Sequence, residues 1–282
     1  SGLEKTGRYY GGVAFDTVDV DCSGCDRPLD GSELYSWSMD ETSVFFFTSG
    51  STGVPKAVEL TQRNIFARTL GEIQRFGLTD RDVDCNWMTF THAAGLIWSH
   101  IRDLYLDIPQ VQAQSGYVLK SPLRWIELLS HHKATVTWAP NFAYSLVQEQ
   151  AKAAEETEKD DWDLSSLRLA FSGGEANVSR TLRGFLKTFE PYGLRNGAVI
   201  PAFGMTETSS CITYYEDFSL ESSSDSDEFI PVGYPMAGIE IRVRGSDGAL
   251  CGECETGSVE LRGETVTKGY YHNEKANEES FT

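Results

Sequence analysis

Basic residues are scarce in this chain: 24 Lys and Arg stand against 42 Asp and Glu, for a net charge of −18. That balance excludes a nucleic-acid partner, whose phosphates need a basic footprint. It does not exclude a nucleotide, which a few local donors can hold. No apolar run approaches the ~20 residues of a membrane span. The opening stretch, SGLEKTGRYYGG, has nothing of a signal peptide. No internal repeat is present, so a repeat array is excluded. Cysteine is limited to six residues. Cys22/Cys25 and Cys251/Cys254 form two CxxC pairs, but they lie too far apart for a compact zinc module, and the second falls in an expected hairpin loop. They read as reduced thiols of a cytoplasmic protein. A Walker phosphate loop is also missing. Counting from Gly50, the second glycine position holds Pro55, and Lys56 is followed by Ala57 rather than a hydroxyl residue.

What is present is a long alternation of strand and helix signals within 282 residues that are 40% apolar. SVFFF (43–47) reads as a buried strand. TQRNIFARTLGEIQRF reads as a helix capped by Thr61, with Ile65, Phe66, Leu70, Ile73 and Phe76 on one face. Strands are expected at DVDCNWMTF, PQVQAQ, ATVTWAP, LRLAFSGGE and AVIPAFG. Helices are expected at GLIWSHIRDLYL, SPLRWIELLSHH, FAYSLVQEQAKAAEETEKDD and SRTLRGFLKTFEPYG, the last with Leu182, Phe185, Leu186 and Phe189 inward. This grammar predicts an α/β fold, a mostly parallel sheet with helices on both faces. After Gly204 it changes: an acidic, Ser-rich stretch (216–228) predicts a mobile surface loop, and strand-like segments predict a smaller β-rich subdomain, a distorted barrel. The expected organisation is a lead-in at 1–42, an α/β subdomain at 43–204 and the β-rich subdomain at 205–282.

The stretch VFFFTSGSTGVPKAVELTQRN (44–64) carries an apolar run into a loop of Gly, Ser and Thr, then Pro55 and Lys56, then a helix. Small residues of this kind expose backbone N–H groups and hydroxyls that hold phosphate. The loop resembles the signature of the adenylate-forming superfamily, which comprises acyl-CoA synthetases, luciferases and the adenylation domains of nonribosomal peptide and polyketide synthases. The pattern is Thr-Ser-Gly-Ser/Thr-Thr-Gly-x-Pro-Lys-Gly, and only Ala57 departs from it. Five further segments resemble family motifs in order: FTHAAGL (90–96), FSGGE (171–175), AFGMTET (202–208), VGYPMAGIEIRV (232–243) and GSVELRGETVTKGYY (257–271).

The resemblance implies a reaction in which a carboxylate attacks the α-phosphate of ATP and pyrophosphate leaves. It assigns Thr48, Ser49, Gly50, Ser51, Thr52, Gly53 and Lys56 to the leaving phosphates, Thr206 to the α-phosphate and Glu207 to Mg²⁺. Phe203 and Gly204, with Gly173, Gly174 and Glu175, are expected around the adenine. His92 is expected beside the reacting carboxylate, and Trp138, Pro140, Asn141 and Phe142 along the acyl pocket. Amino-acid-activating members tend to carry an Asp near His92 that pairs with the substrate's ammonium. MTFTHAAGL has no acid, and a buried ammonium without a partner is costly. The resemblance therefore points to a fatty, aryl, keto or hydroxy acid, in a domain most like those of hybrid polyketide–peptide assembly lines. The implied acceptor is the phosphopantetheine thiol of a carrier protein in the same polypeptide. CoA, as in a free-standing acyl-CoA synthetase, is the alternative, and a non-catalytic nucleotide-binding or docking module is a third reading. Family members run longer at both ends, past a ribose-binding Asp and a small C-terminal domain, so the chain alone is expected to make little adenylate.

Overall fold

The structure, a computed structural model, describes residues 36, 38–48, 55–153 and 162–281. The chain divides into two units, Ser1–Ser38 and Met39–Thr282, and the elements named below all belong to the second. Cys22, Cys25, the loop residues Ser49–Gly53 and the acidic helix tail at 154–161 lie outside the described residues.

Strands β1 (Thr42–Thr48) and β2 (Lys56–Thr61) form an antiparallel hairpin separate from the main sheet. Two expectations are corrected here. SVFFF is a strand, but only Phe46 of its phenylalanines is buried, while Phe45 and Phe47 face outward, as alternation on a one-sided ribbon requires. The residues after the phosphate loop enter β2 before any helix begins. Helix α1 (Gln62–Phe76) then starts at the predicted cap: Thr61 Oγ1 accepts from Asn64 N, and Asn64 Oδ1 accepts from Thr61 N at 2.9 Å. Its inward face keeps only part of the predicted apolar one: Ile65 is buried and Ile73 and Phe76 pack on the core. Asn64, Ile65, Arg68, Thr69, Gly71 and Glu72 are buried, and Leu70 is exposed.

That polar face is explained by its partners. Arg68 and Glu72 pair within α1. Glu72 also meets Arg102 Nη1 at 3.1 Å, from helix α2 (Arg102–Leu106), and Arg102 Nη2 reaches Asp84 of β3 (Asp84–Asn86) at 2.8 Å and Asp103 at 2.6 Å. All five side chains are fully buried. Burial, and then the neighbouring Asp84, push the Asp103 carboxyl up to about 9 against the pull of Arg102. With that proton in place, two cations face two carboxylates and the cluster is neutral.

The central sheet has seven strands in the order β4–β3–β5–β6–β7–β8–β9. These are β4 (Gln110–Gln112), β5 (Val136–Ala139), β6 (Leu169–Ser172), β7 (Val199–Met205), β8 (Ser210–Tyr214) and β9 (Tyr234–Pro235). Pairing is parallel from β4 to β7 and antiparallel beyond. Alternate residues feed two cores. Val136, Trp138, Leu169, Phe171, Ile200 and Ala202 pack with Trp98 and Leu78. Ala139, Ala170 and Val199 pack with side chains of α4 (Leu123–His131), α5 (Asn141–Ala153) and α6 (Ser179–Phe189). Both faces are therefore covered, as short buried strands in a parallel sheet require. On α6, Leu182, Phe185, Leu186 and Phe189 are all inward, as their spacing predicts. The segment Ala94–Ile101 is a π-helix running into α2, where the sequence reads as one ordinary helix. A short helix α3 (Ser115–Lys120) has no counterpart among the predicted elements.

The stretch 216–228 is not the free loop its composition predicts. Phe218 is fully buried in the core beside α6. Arg183 of α6 donates to Leu220 O at 2.7 Å and to Ser223 O, and pairs with Asp225 at 2.5 Å. Ser179 Oγ donates to Ser224 O at 2.6 Å. Arg183→Ala is expected to speed proteolytic cleavage within 216–228 while leaving the thermal midpoint of the protein nearly unchanged, because Phe218 keeps its place in the core and only local tethers of the segment are lost. Limited proteolysis beside a melting curve checks this.

Past the main sheet, β10 (Ile239–Arg244) and β11 (Ser258–Gly263) pair antiparallel as a two-stranded sheet. No closed barrel is present among the described residues. Cys251 and Cys254 fall in their connection as free thiols. Helix α7 (Glu274–Ser280) follows. No helix of the described residues is long and apolar enough to cross a membrane.

Candidate functional site

The carboxyl ends of β5, β6 and β7 lie side by side, where ligands of open α/β sheets collect. A cavity of about 360 Å³ opens there. It is lined by Thr48 and Lys56 from either side of the hairpin loop, His92 to Ala94 at the entry to the π-helix, and Trp138 of β5. Gly174 after β6, Gly204 to Glu207 at the end of β7, Ser210, Cys211 and Tyr270 complete the wall. Eight of the residues named from the sequence (Thr48, Lys56, His92, Trp138, Gly174, Gly204, Thr206, Glu207) thus meet in one space.

Others named from the sequence do not line it. Phe203 is half-buried on β7, opposite Thr213. Gly173 is buried, and a Cβ there would press on Ala202 O and Cys211 Sγ. Glu175 accepts from Phe142 N at 2.6 Å through its carboxylate. Asn141 Oδ1 accepts from Val178 N at 2.9 Å, Pro140 is buried, and Phe142 is exposed at the start of α5. Glu175 and Asn141 therefore tie the β6–α6 connection to α5.

Two glycines are needed by geometry. Gly174 turns at φ 79°, and a Cβ there would press on Trp138. At Gly204 the β7–β8 register shifts, and a Cβ would overlap the Ser210 carbonyl and Cys211 Cα. Gly204→Ala is expected to destabilise the protein by about 1–3 kcal/mol, the usual cost of forcing atoms into a packed site, and to distort the Thr206–Glu207 turn. Denaturant unfolding measures the first effect and nucleotide affinity the second.

His92 sits against Trp138, ring centroids 6.1 Å apart and nearly parallel. Its Nδ1 accepts from Ala94 N at 3.1 Å, which leaves any ring proton on Nε2. Crowding by the surrounding protein holds its pKa below the usual 6.5, so the imidazole is neutral at pH 7. Burial pushes the Cys211 thiol up to about 11, making it a neutral part of the wall.

Thr206–Thr208 is a single tight turn, with Thr208 Oγ1 bonded to Met205 and Ser210. Ser209 and Ser210 follow with φ of 63° and 133°, values that side-chain-bearing residues seldom adopt. The surrounding segment holds this backbone in place: Ser209 Oγ donates to Thr265 O at 3.0 Å, and Thr267 N donates to Glu207 O at 2.8 Å. Tyr270 Oη donates to Glu207 Oε1 at 2.8 Å, and the Lys56 ammonium lies 4.5 Å from the centre of the Tyr270 ring. Burial, and then the adjoining carboxylate, push the Tyr270 hydroxyl up to about 12. Tyr270, Met205, Ser210, Cys211, Ala93 and Ala94 were not singled out from the sequence. Tyr270, Met205, Ala93 and Ala94 do lie within the quoted motifs GSVELRGETVTKGYY, AFGMTET and FTHAAGL, whereas Ser210 and Cys211 lie in none.

A parallel sheet whose strand ends surround a cavity with a loop lysine, a Gly turn and a Thr-Glu pair defines the core of an adenylate-forming enzyme. The chain belongs to the AMP-binding enzyme family, whose profile matches residues 15–271. It is 31% identical over 277 residues to aspulvinone E synthetase melA of Aspergillus terreus, covering 97% of this chain and 30% of that protein. It is 35% identical over 259 residues to atromentin synthetase greA of Suillus grevillei, covering 88% and 26%. Among solved structures, McyG A-PCP complexed with phenylalanyl-adenylate superposes with a TM-score of 0.85 at 34% identity, covering 91% of this chain and 40% of that one. The adenylation domain of a keto acid-selecting NRPS module bound to keto acyl adenylate gives 0.81 at 31% identity, covering 88% and 48%. The chain thus spans under a third of the length of the curated relatives it matches.

Proposed function

We propose that this chain carries the catalytic core of a domain that activates a carboxylic acid lacking an α-amino group. A carboxylate oxygen of the acid bonds to the α-phosphorus of ATP, the bond to the bridging oxygen breaks, and pyrophosphate leaves with the electron pair. The acyl group then passes to a carrier-protein phosphopantetheine thiol, with release of AMP. The observation that carries this reading is the convergence of Lys56, His92, Thr206 and Glu207 on one cavity. The step needs no covalent enzyme intermediate, so positioning and charge neutralisation do the work.

In this reading Lys56 neutralises charge on the leaving phosphates and Thr206 donates to the α-phosphate. Neutral His92 borders the reacting carboxylate without drawing it into an ion pair. Glu207 suits Mg²⁺: it is a hard carboxylate whose second oxygen, Oε2, accepts no hydrogen bond from the described residues, and this ion commonly takes one or two carboxylates and completes its shell with phosphate and water. When bound, the ion would neutralise phosphate charge.

The substrate class rests on the lining. Glu207 is its only carboxylate among the described residues, and Tyr270 engages it. A substrate ammonium beside His92 and Trp138 would therefore have no anionic partner. The solved relatives carry a phenylalanyl or a keto acyl adenylate, and the absence of an acid here favours the second type. The test is acid-dependent exchange of pyrophosphate into ATP by the full protein, over fatty, aryl, keto and amino acids. Exchange with a non-amino acid is expected. Exchange confined to amino acids would refute the substrate class, and none with any acid would refute the reaction.

A further inference from the structure

Residues 267–271 run along the free edge of β2. Thr267 Oγ1 donates to Glu59 O, Tyr271 N donates to Ala57 O at 2.9 Å, and Tyr270 pairs antiparallel with Val58. Paired residues in such a ribbon share a face, and the residue two positions along lies diagonally within reach of an aromatic ring. Lys56 stands two positions from Val58. The register itself therefore sets the Lys56 ammonium over the Tyr270 ring, 4.5 Å from its centre. The opposite end of the same side chain donates to Glu207 Oε1.

Tyr270 is itself firmly seated. Asn277 of α7 accepts from its backbone N–H at 2.7 Å and donates to its carbonyl at 3.0 Å, and its ring packs edge-on against Phe281 at 5.5 Å. Gly269 allows this approach: its φ is 152°, and a Cβ there would meet the Asn277 side chain.

We infer that Tyr270 is a positioning residue that aligns the phosphate-neutralising Lys56 and the Mg²⁺-binding Glu207 before the nucleotide arrives. This rests on the reading of the site given above. The hydroxyl fixes Glu207 Oε1 and leaves Oε2 for the ion. The ring supplies Lys56 with a cation–π seat, so the ammonium stays in the cavity without a carboxylate that would compete with phosphate. One side chain thereby engages a cation with its ring face and an anion with its hydroxyl.

The two functions separate by substitution. Tyr270→Phe keeps the ring and removes the hydroxyl. The Mg²⁺ concentration giving half-maximal binding of a non-hydrolysable ATP analogue is then expected to rise about tenfold, the usual loss when an outer partner of a metal ligand is removed. Analogue affinity at saturating Mg²⁺ and the thermal midpoint should stay near wild type. Tyr270→Leu removes both parts, and analogue affinity should fall even at saturating Mg²⁺. Calorimetric titration of the full protein at several Mg²⁺ concentrations reads both effects without turnover. A Phe variant with wild-type Mg²⁺ dependence overturns the inference. So does a Phe variant whose affinity falls equally at every Mg²⁺ concentration, since that pattern marks a merely structural role. A wild-type protein that binds no analogue refutes the nucleotide site itself.

Discussion

Glu207→Ala is expected to lower acid-dependent pyrophosphate exchange by about two to three orders of magnitude, the range seen when one preorganised charge-stabilising group is deleted. The protein should remain folded. The Glu207 backbone keeps its bond from Thr267 N, and the turn is tied independently through Thr208 and Ser209. The loss should therefore appear in exchange while the melting curve stays close to wild type. Glu207→Gln is the sharper control, since it retains the shape and an acceptor for Tyr270 but not the charge. Exchange within threefold of wild type in the Gln variant would remove Glu207 from the charge-handling role.

Arg102→Met should be the most damaging substitution for stability. Arg102 is fully buried and touches Glu72, Asp84 and Asp103, and its ring-facing side lies 4.5 Å from the centre of Trp98. Burial opposes its charge, but Asp103, Asp84 and Glu72 more than offset this and hold its pKa well above the ordinary guanidinium range. Removing one partner of such a group costs about 3–5 kcal/mol, because carboxylates are left buried without a counter-ion. For a protein of this size each kcal/mol shifts the midpoint by roughly 2–4 °C, so a drop on the order of 10 °C is expected. Melting curves of wild type and variant test this, and a midpoint close to wild type would contradict it.

Strands β5, β6 and β7 are legible in the sequence because VTWA, LAFS and VIPA are short buried runs between helices, and a parallel sheet demands that alternation. The inward face of α6 is legible because its apolar spacing has no competing partner. On α1 the same rule holds only in part, for Ile65, Ile73 and Phe76. Arg68 and Glu72 stand four apart and look like a solvated surface pair, and only α2 and β3, brought in by the fold, make them core residues. The π-helix is invisible for a related reason, since one extra residue per turn leaves no trace in composition. Acidity marks 216–228 as solvent-bound, yet Phe218 and the reach of Arg183 anchor it. Within the site, Thr48, Lys56, His92, Thr206 and Glu207 are legible from their motifs and line one cavity. Tyr270 is not, because its role exists only through contacts with residues distant along the chain.

The clasp between β2 and residues 267–271 also orders events in time. Glu59 and Thr267, joined across it, are 208 residues apart, so the contact closes one of the longest loops in the protein. On the ribosome, at roughly 5–20 residues per second, β2 emerges about 10–40 s before its partner does. Through that interval the hairpin has an unpaired edge open to other chains, and Lys56 has no ring to rest on. Nucleotide affinity should therefore arise abruptly, once residues 267–271 have emerged, and a nascent chain stalled before residue 267 should not be rescued by ATP.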